Sequence, residues 1–96
     1  MRLEWDEAKN LGNQKNHGVS FDEAAELFSE DVDCLEVFDQ LHSGTEERFI
    51  SIGPIRRGLV MVVWTERAED VVRLISARLA TTREAERYRT HMEQFQ

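Results

Sequence analysis

Lys15 and His17 lie in the stretch KNHGVSF, between two segments of helical periodicity, in a chain of formal net charge −7. An ammonium and an imidazole at such a helix-to-helix corner make a cationic spot in acidic surroundings, which is what a local anion site requires. Three arginines extend the idea. Arg48 opens the segment RFISIG, while Arg73 and Arg78 belong to VVRLISAR. Arg78 is followed closely by Thr81, a helix-capping residue type, and a guanidinium beside a helix N-terminus can converge with free amides on one phosphate.

Each of these residues also has a simpler reading. Lys15 and His17 would compensate the negative end of a helix dipole. Arginines at strand ends are commonly solvated or paired, here with Glu47, Glu66 or Asp70 as available carboxylates. Strict alternation along VVRLISAR places Arg73, Ile75 and Ala77 on one face and Leu74, Ser76 and Arg78 on the other. If RFISIG and VVRLISAR both flank LVMVVWTE antiparallel to it, they run parallel to each other, so Arg48 and Arg78 lie toward opposite ends. Alternation thus predicts that the three arginines do not share one compact site. His42, in a polar loop, and His91, on the last helix, read as surface residues, and Trp64 and Tyr88 as core or rim aromatics.

The elements that would position these groups can be read in chain order. RLEW is a short strand or extended lead-in, and Asp6 caps a helix running to about Asn16, with Trp5, Ala8 and Leu11 on one face. Gly18 suits a left-handed helix end. SFDE fits a reciprocal capping box between Ser20 and Glu23, opening a second helix to about Glu30 whose apolar stripe is Phe21, Ala24, Ala25 and Phe28. From Cys34 the period becomes strand-like: CLEVF, RFISIG, LVMVVWTE and VVRLISAR, with LVMVVWTE apolar on both faces as a central strand would be. Short joins favour an antiparallel meander. A closing helix starts at the Thr81/Glu84 capping box and carries Ala85, Tyr88, Met92 and Phe95 at helical spacing. The expected fold class is α+β: two N-terminal helices, a four-stranded antiparallel sheet, five-stranded if RLEW joins it, and a C-terminal helix.

Composition bounds the partners. A length of 96 residues predicts one domain, 1–96, and 41% hydrophobic with 32% charged residues is ordinary for a globular chain. Residues 1–47 carry 13 acidic and 3 basic side chains, net −10, whereas residues 48–96 carry 6 and 9, net +3. The acidic half opposes long-range approach of a polyanion, so any anion site must be local. A lone cysteine, Cys34, predicts a reducing, cytoplasmic setting, and neither a leader nor a membrane span is expected from the N-terminus or from LVMVVW. No phosphate-binding glycine loop, nucleophile elbow or histidine pair at metal spacing occurs, so no cofactor and no metal are expected. The acidic clusters at Glu30, Asp31, Asp33 and at Glu46, Glu47 read as solvated loops.

Taken together, EWDEAKNLGNQKNHGVSFDEA, EERFISIG, VVWTER and RLISARLATTREAERY resemble, in this order, the BrnT family of toxins from bacterial type II toxin-antitoxin systems. The resemblance implies a fold similar to the RelE-type ribonuclease toxins, metal-independent RNA cleavage that inhibits translation and growth, and neutralisation by BrnA, an antitoxin with a ribbon-helix-helix DNA-binding domain. RNA, free or on the ribosome, is then the substrate, and DNA is met only through the antitoxin.

Cleavage by the RNA 2′-hydroxyl needs a base, a positive group for the charge developing on phosphate, and an acid for the leaving oxygen. On that chemistry the candidate catalytic residues are Lys15 and His17 as acid and base and Arg78 as principal phosphate clamp, with Arg48, Arg73 and Glu66 as further candidates. Leu79 and Thr82 stand where the family is often basic. With the acidic total, they motivate the alternative of a catalytically weak or inactive binding module that acts through a protein partner.

Overall fold

The computed structural model describes residues 1–94 as an α+β fold with a five-stranded mixed sheet and three α-helices. In chain order these are β1 (Arg2–Glu4), α1 (Glu7–His17), α2 (Phe21–Ala24), β2 (Leu35–Phe38), β3 (Phe49–Ile55), β4 (Gly58–Ala68), β5 (Val71–Leu79) and α3 (Thr82–Glu93). The expected element order holds, as does the central place of β4 in the spatial order β1-β5-β4-β3-β2. The expectation of a purely antiparallel sheet does not. The β2-β3-β4-β5 part is an antiparallel meander, but β1 joins β5 in parallel, Glu4 opposite Arg73. It is seated at the β4–β5 turn, where the Arg2 amide donates to the Asp70 carbonyl (2.8 Å) and the Met1 amine pairs with the Asp70 carboxylate (3.0 Å).

The capping residues act as their types predict. Asp6 accepts from the amides of Ala8 and Lys9, and the Ser20/Glu23 and Thr81/Glu84 boxes both close reciprocally. Gly18 takes φ 73°, the left-handed conformation that ends α1. The second helix is shorter than its sequence stripe suggests, passing after Ala24 into a 3-10 segment, Ala25–Phe28. That tighter winding rotates Leu27 into the core, against Gly53, where a β-carbon would lie 2.6 Å from the Leu27 Cδ1.

One sheet face is sealed. Val19, Phe21, Ala24 and Leu27 from the α1–α2 side pack against Val60, Val62, Trp64, Val72, Leu74 and Ala77. Burying such side chains stabilises by roughly 1.5–3 kcal/mol each. The inward residues of α1 itself are not the expected apolar ones: Ala8 is exposed and Leu11 is 63% exposed, while Asn10 and Asn13 are buried. The Asn13 amide donates to the carbonyls of Val19 (2.8 Å) and Ala77 (2.7 Å) and accepts from the Ala77 amide (3.1 Å). Because β1 covers β5 only over Val71–Arg73, the outer backbone edge at Ala77 lacks a strand neighbour, and Asn13 supplies what one would have offered. Asn10 accepts from the Phe21 amide (2.8 Å), tying the two helices together. Helix α3 covers part of the opposite face, over β2 and β3, and buries none of its residues. Ala85, Tyr88 and Met92 are half-buried there; Phe95 lies outside the described residues.

Candidate functional site

The KNHGVSF corner is built by the capping residues on either side of it and fixed from outside by Arg57. In the β3–β4 hairpin, the Arg57 guanidinium donates to the Gly18 carbonyl (2.7 Å) and to both Glu23 carboxylate oxygens (3.1 and 3.0 Å). The Ser20 backbone amide and then Arg57 hold the Glu23 carboxyl below the usual carboxylate range. Arg57 went unselected in the sequence, although adjacent arginines before a turn glycine were a visible signal. Lys15 and His17 occupy the last turn of α1, exposed, with no polar partner among the described residues. They are presented to solvent from a rigidly anchored helix end.

The strand arginines are arranged differently from the alternation argument. A β-bulge between the Val63–Ser76 and Trp64–Leu74 pairs leaves Ile75 without a partner on β4. Leu74 and Ala77 therefore share the core face, and Arg73, Ser76 and Arg78 share the other. Arg48 precedes Phe49, which pairs with core-facing Trp64, so alternation directs it to the same face as Arg73 and Arg78. One face thus carries all three. They remain apart along it: Arg78 pairs with Met61, and Arg73 with Thr65 four residues further on, about 13 Å away along the strand.

All three are also engaged, though not by the carboxylates expected. Arg78 forms a two-pronged contact with Glu84 (2.8 and 2.9 Å) and reaches the Leu79 carbonyl (3.2 Å). This contact raises the Arg78 pKa and lowers that of Glu84, whose carboxylate also accepts from the Thr81 amide (2.9 Å) as part of the α3 cap. Arg73 pairs with Glu4 (2.8 Å), across the parallel β1–β5 contact. Arg48 approaches Glu46 at 3.7 Å. Glu66 projects at the far end of β4, in a hollow shared with Glu46, Glu47 and Arg67. Arg78 and the KNHGVSF corner both belong to the hairpin end of the sheet but to opposite faces of it, linked across the β5 edge by Asn13, which binds the backbone of Ala77 next to Arg78. No hydrogen bond or ion pair joins Lys15 or His17 to Arg48, Arg73 or Arg78.

Among the described residues no three His, Cys, Asp or Glu side chains cluster closely enough to hold a metal ion, and no helix is long and apolar enough to cross a membrane. Burial first, then Glu36 and Asp33, push the Cys34 thiol pKa up, with a hydrogen bond to Ser51 acting the other way. These surroundings favour the thiol over the thiolate.

Residues 5–84 match the family described as ribonuclease toxin, BrnT, of type II toxin-antitoxin system. The chain belongs to the BrnT family. Its fold is similar to that of the Brucella abortus ribonuclease toxin, BrnT, in a 1.1 Å crystal structure, with TM-score 0.62 and 21% sequence identity over 85% of this chain and 99% of that one. No curated protein matches. Membership in the BrnT family makes this chain a ribonuclease toxin of a type II system, with an RNA substrate and an antitoxin partner.

Proposed function

We propose that this BrnT-family chain, acting as one domain in the cytoplasm, cleaves RNA by metal-independent attack of the 2′-hydroxyl, inhibits translation and growth, and is neutralised by a BrnA-type ribbon-helix-helix antitoxin. The observation that carries the reading is the free pair Lys15 and His17 on a corner anchored by Arg57 and Asn13, at the same end of the sheet as Arg78. One of the pair removes the 2′-hydroxyl proton, the oxygen attacks the adjacent phosphorus, and the other protonates the departing 5′ oxygen. Arg78 opposes the charge that grows on the phosphate, with Arg73 and Arg48 on the same face as further contacts and Glu66 set apart. A RelE-like placement of the site on the sheet is part of the same proposal.

Labelled RNA incubated with the antitoxin-free protein, with and without a chelator, tests this. Chelator-resistant cleavage should be lost in Lys15→Ala, His17→Ala and Arg78→Ala while the first two leave the thermal midpoint unchanged. Cleavage abolished by the chelator, or retained in all three variants, removes the mechanism. A second reading, the binding module of little or no activity, draws on the carboxylate partners of all three arginines. Intact RNA beside a folded protein that still captures its antitoxin selects that reading.

A further inference from the structure

Arginines without a carboxylate partner are the cations most open to a polyanion, and two of them face one groove. Arg83 and Arg87, one helical turn apart on α3, have no polar partner among the described residues and line a groove with Thr90, Gln94 and Leu35 of β2. Positions 83, 87, 90 and 94 follow the helical repeat, so they form a straight polar stripe with the guanidinium stems about 6 Å apart along the axis. Other unpaired arginines are less favourably placed. Arg67 sits among Glu46, Glu47 and Glu66, and Arg56 beside Glu26. In the α3 groove two arginines face a single carboxylate, Glu86.

Arg87 also borders an adjoining hollow, lined by Val37, Phe38, Asp39, Gln40, Leu41 and Ile50, in which the Asp39 carboxylate is paired with His42. Leu41 is 90% exposed beside the cationic stripe, whereas the Phe38 ring turns to the other face of the sheet, edge-on to Phe49 at 5.5 Å. A groove with unpaired cations spaced along it can track the backbone of a single-stranded nucleic acid without reading its sequence. We propose that single-stranded RNA lies along the α3–β2 groove, its phosphates on Arg83 and Arg87. This rests on the RNA-substrate reading. It gives the acidic chain a means of holding RNA that does not draw on Arg48, Arg73 or Arg78.

The test is fluorescence anisotropy with a labelled, single-stranded 2′-O-methyl RNA, which has no free 2′-hydroxyl to attack, titrated over a range of salt. The Arg83→Gln/Arg87→Gln protein should bind at least tenfold more weakly at low salt, with a salt slope shallower by about 1.4, from roughly 0.7 per single-strand phosphate contact. Arg67→Gln should leave binding unchanged. All these side chains are exposed, so thermal midpoints should match the parent. Equal affinity and slope in the double variant overturn the groove, provided the parent binds the probe and cleaves unmodified RNA. A parent that neither binds nor cleaves RNA overturns the groove together with the ribonuclease reading. A double variant that binds RNA normally but no longer captures co-expressed antitoxin assigns the groove to the protein partner and overturns the proposal.

Discussion

The two faces of the sheet are covered in opposite ways. On one, α1, α2 and the 3-10 segment bury Val19, Phe21, Ala24 and Leu27 almost completely, and Asn10 and Asn13 fasten the helices through buried hydrogen bonds. On the other, no residue of α3 is itself buried, only Ile52 and Met61 among the described apolar side chains of the sheet are, and the arginines share the surface with half-buried Val37, Ile50 and Val63. Most of the buried core lies on the first face, while the second holds its arginines in partly exposed ion pairs. The β5 bulge links them: it keeps Leu74 and Ala77 in the core while turning Arg73 and Arg78 together to the open side.

The largest expected effect lies on the sealed face. Asn13→Leu fills a similar volume but leaves the Ala77 amide and two carbonyls without their partner, at a cost of roughly 2–5 kcal/mol in unfolding free energy by urea denaturation. Leu27→Ala should fall in the same range, about 2–5 kcal/mol, from lost burial and the cavity left beside Gly53. A loss under about 1 kcal/mol for Asn13→Leu would mean that α1 is held by packing alone.

Much of this arrangement was legible in the sequence because it depends on neighbours in the chain. Capping boxes, the Gly18 turn and the order of strands follow from local patterns. The asparagines were not legible, since Asn10 and Asn13 look like solvated helix residues until β5 presents an uncovered edge 64 residues from Asn13. The same limit applied to the arginines. Alternation assumes an unbroken strand, and one bulge reversed the predicted face of Arg73 relative to Arg78. The partners Glu4 and Glu84 depended on the parallel β1 pairing and on the α3 capping box. Lys15 and His17 needed only a helix end, and they were found where the sequence places them.

On the open face the Arg78–Glu84 contact should matter more for binding than for stability. Because contact with Arg78 and then the Thr81 amide lower the folded pKa of Glu84, its stabilisation is fully present above the unfolded value, about 4.3, and is lost as pH falls through the lowered one. Glu84→Gln should therefore lose at most about 1 kcal/mol at neutral pH, flatten the acid limb of the stability profile, and raise RNA affinity severalfold by releasing Arg78. Unchanged affinity would show that the carboxylate does not compete with phosphate there. Arg57→Ala, partly exposed, should also cost no more than about 1 kcal/mol, yet lower kcat with little change in KM, because Lys15 and His17 lose their external anchor.

The smallest effect should come from Tyr88, where α3 meets the chain entering β2. Its hydroxyl donates to the Asp33 carbonyl at 3.3 Å in an exposed setting, a long bond that water can replace. Burial of the ring, followed by the Asp33 carboxylate and Cys34, raises the hydroxyl pKa, so the group stays a neutral donor at physiological pH. Tyr88→Phe keeps the ring that packs and removes only that donor. The unfolding free energy should change by no more than about 0.5 kcal/mol, and the acid limb should be untouched. If Tyr88→Phe instead cost 2 kcal/mol, α3 would be fastened by polar contacts as α1 is, and the open face would owe its accessibility to the length of the helix rather than to loose covering.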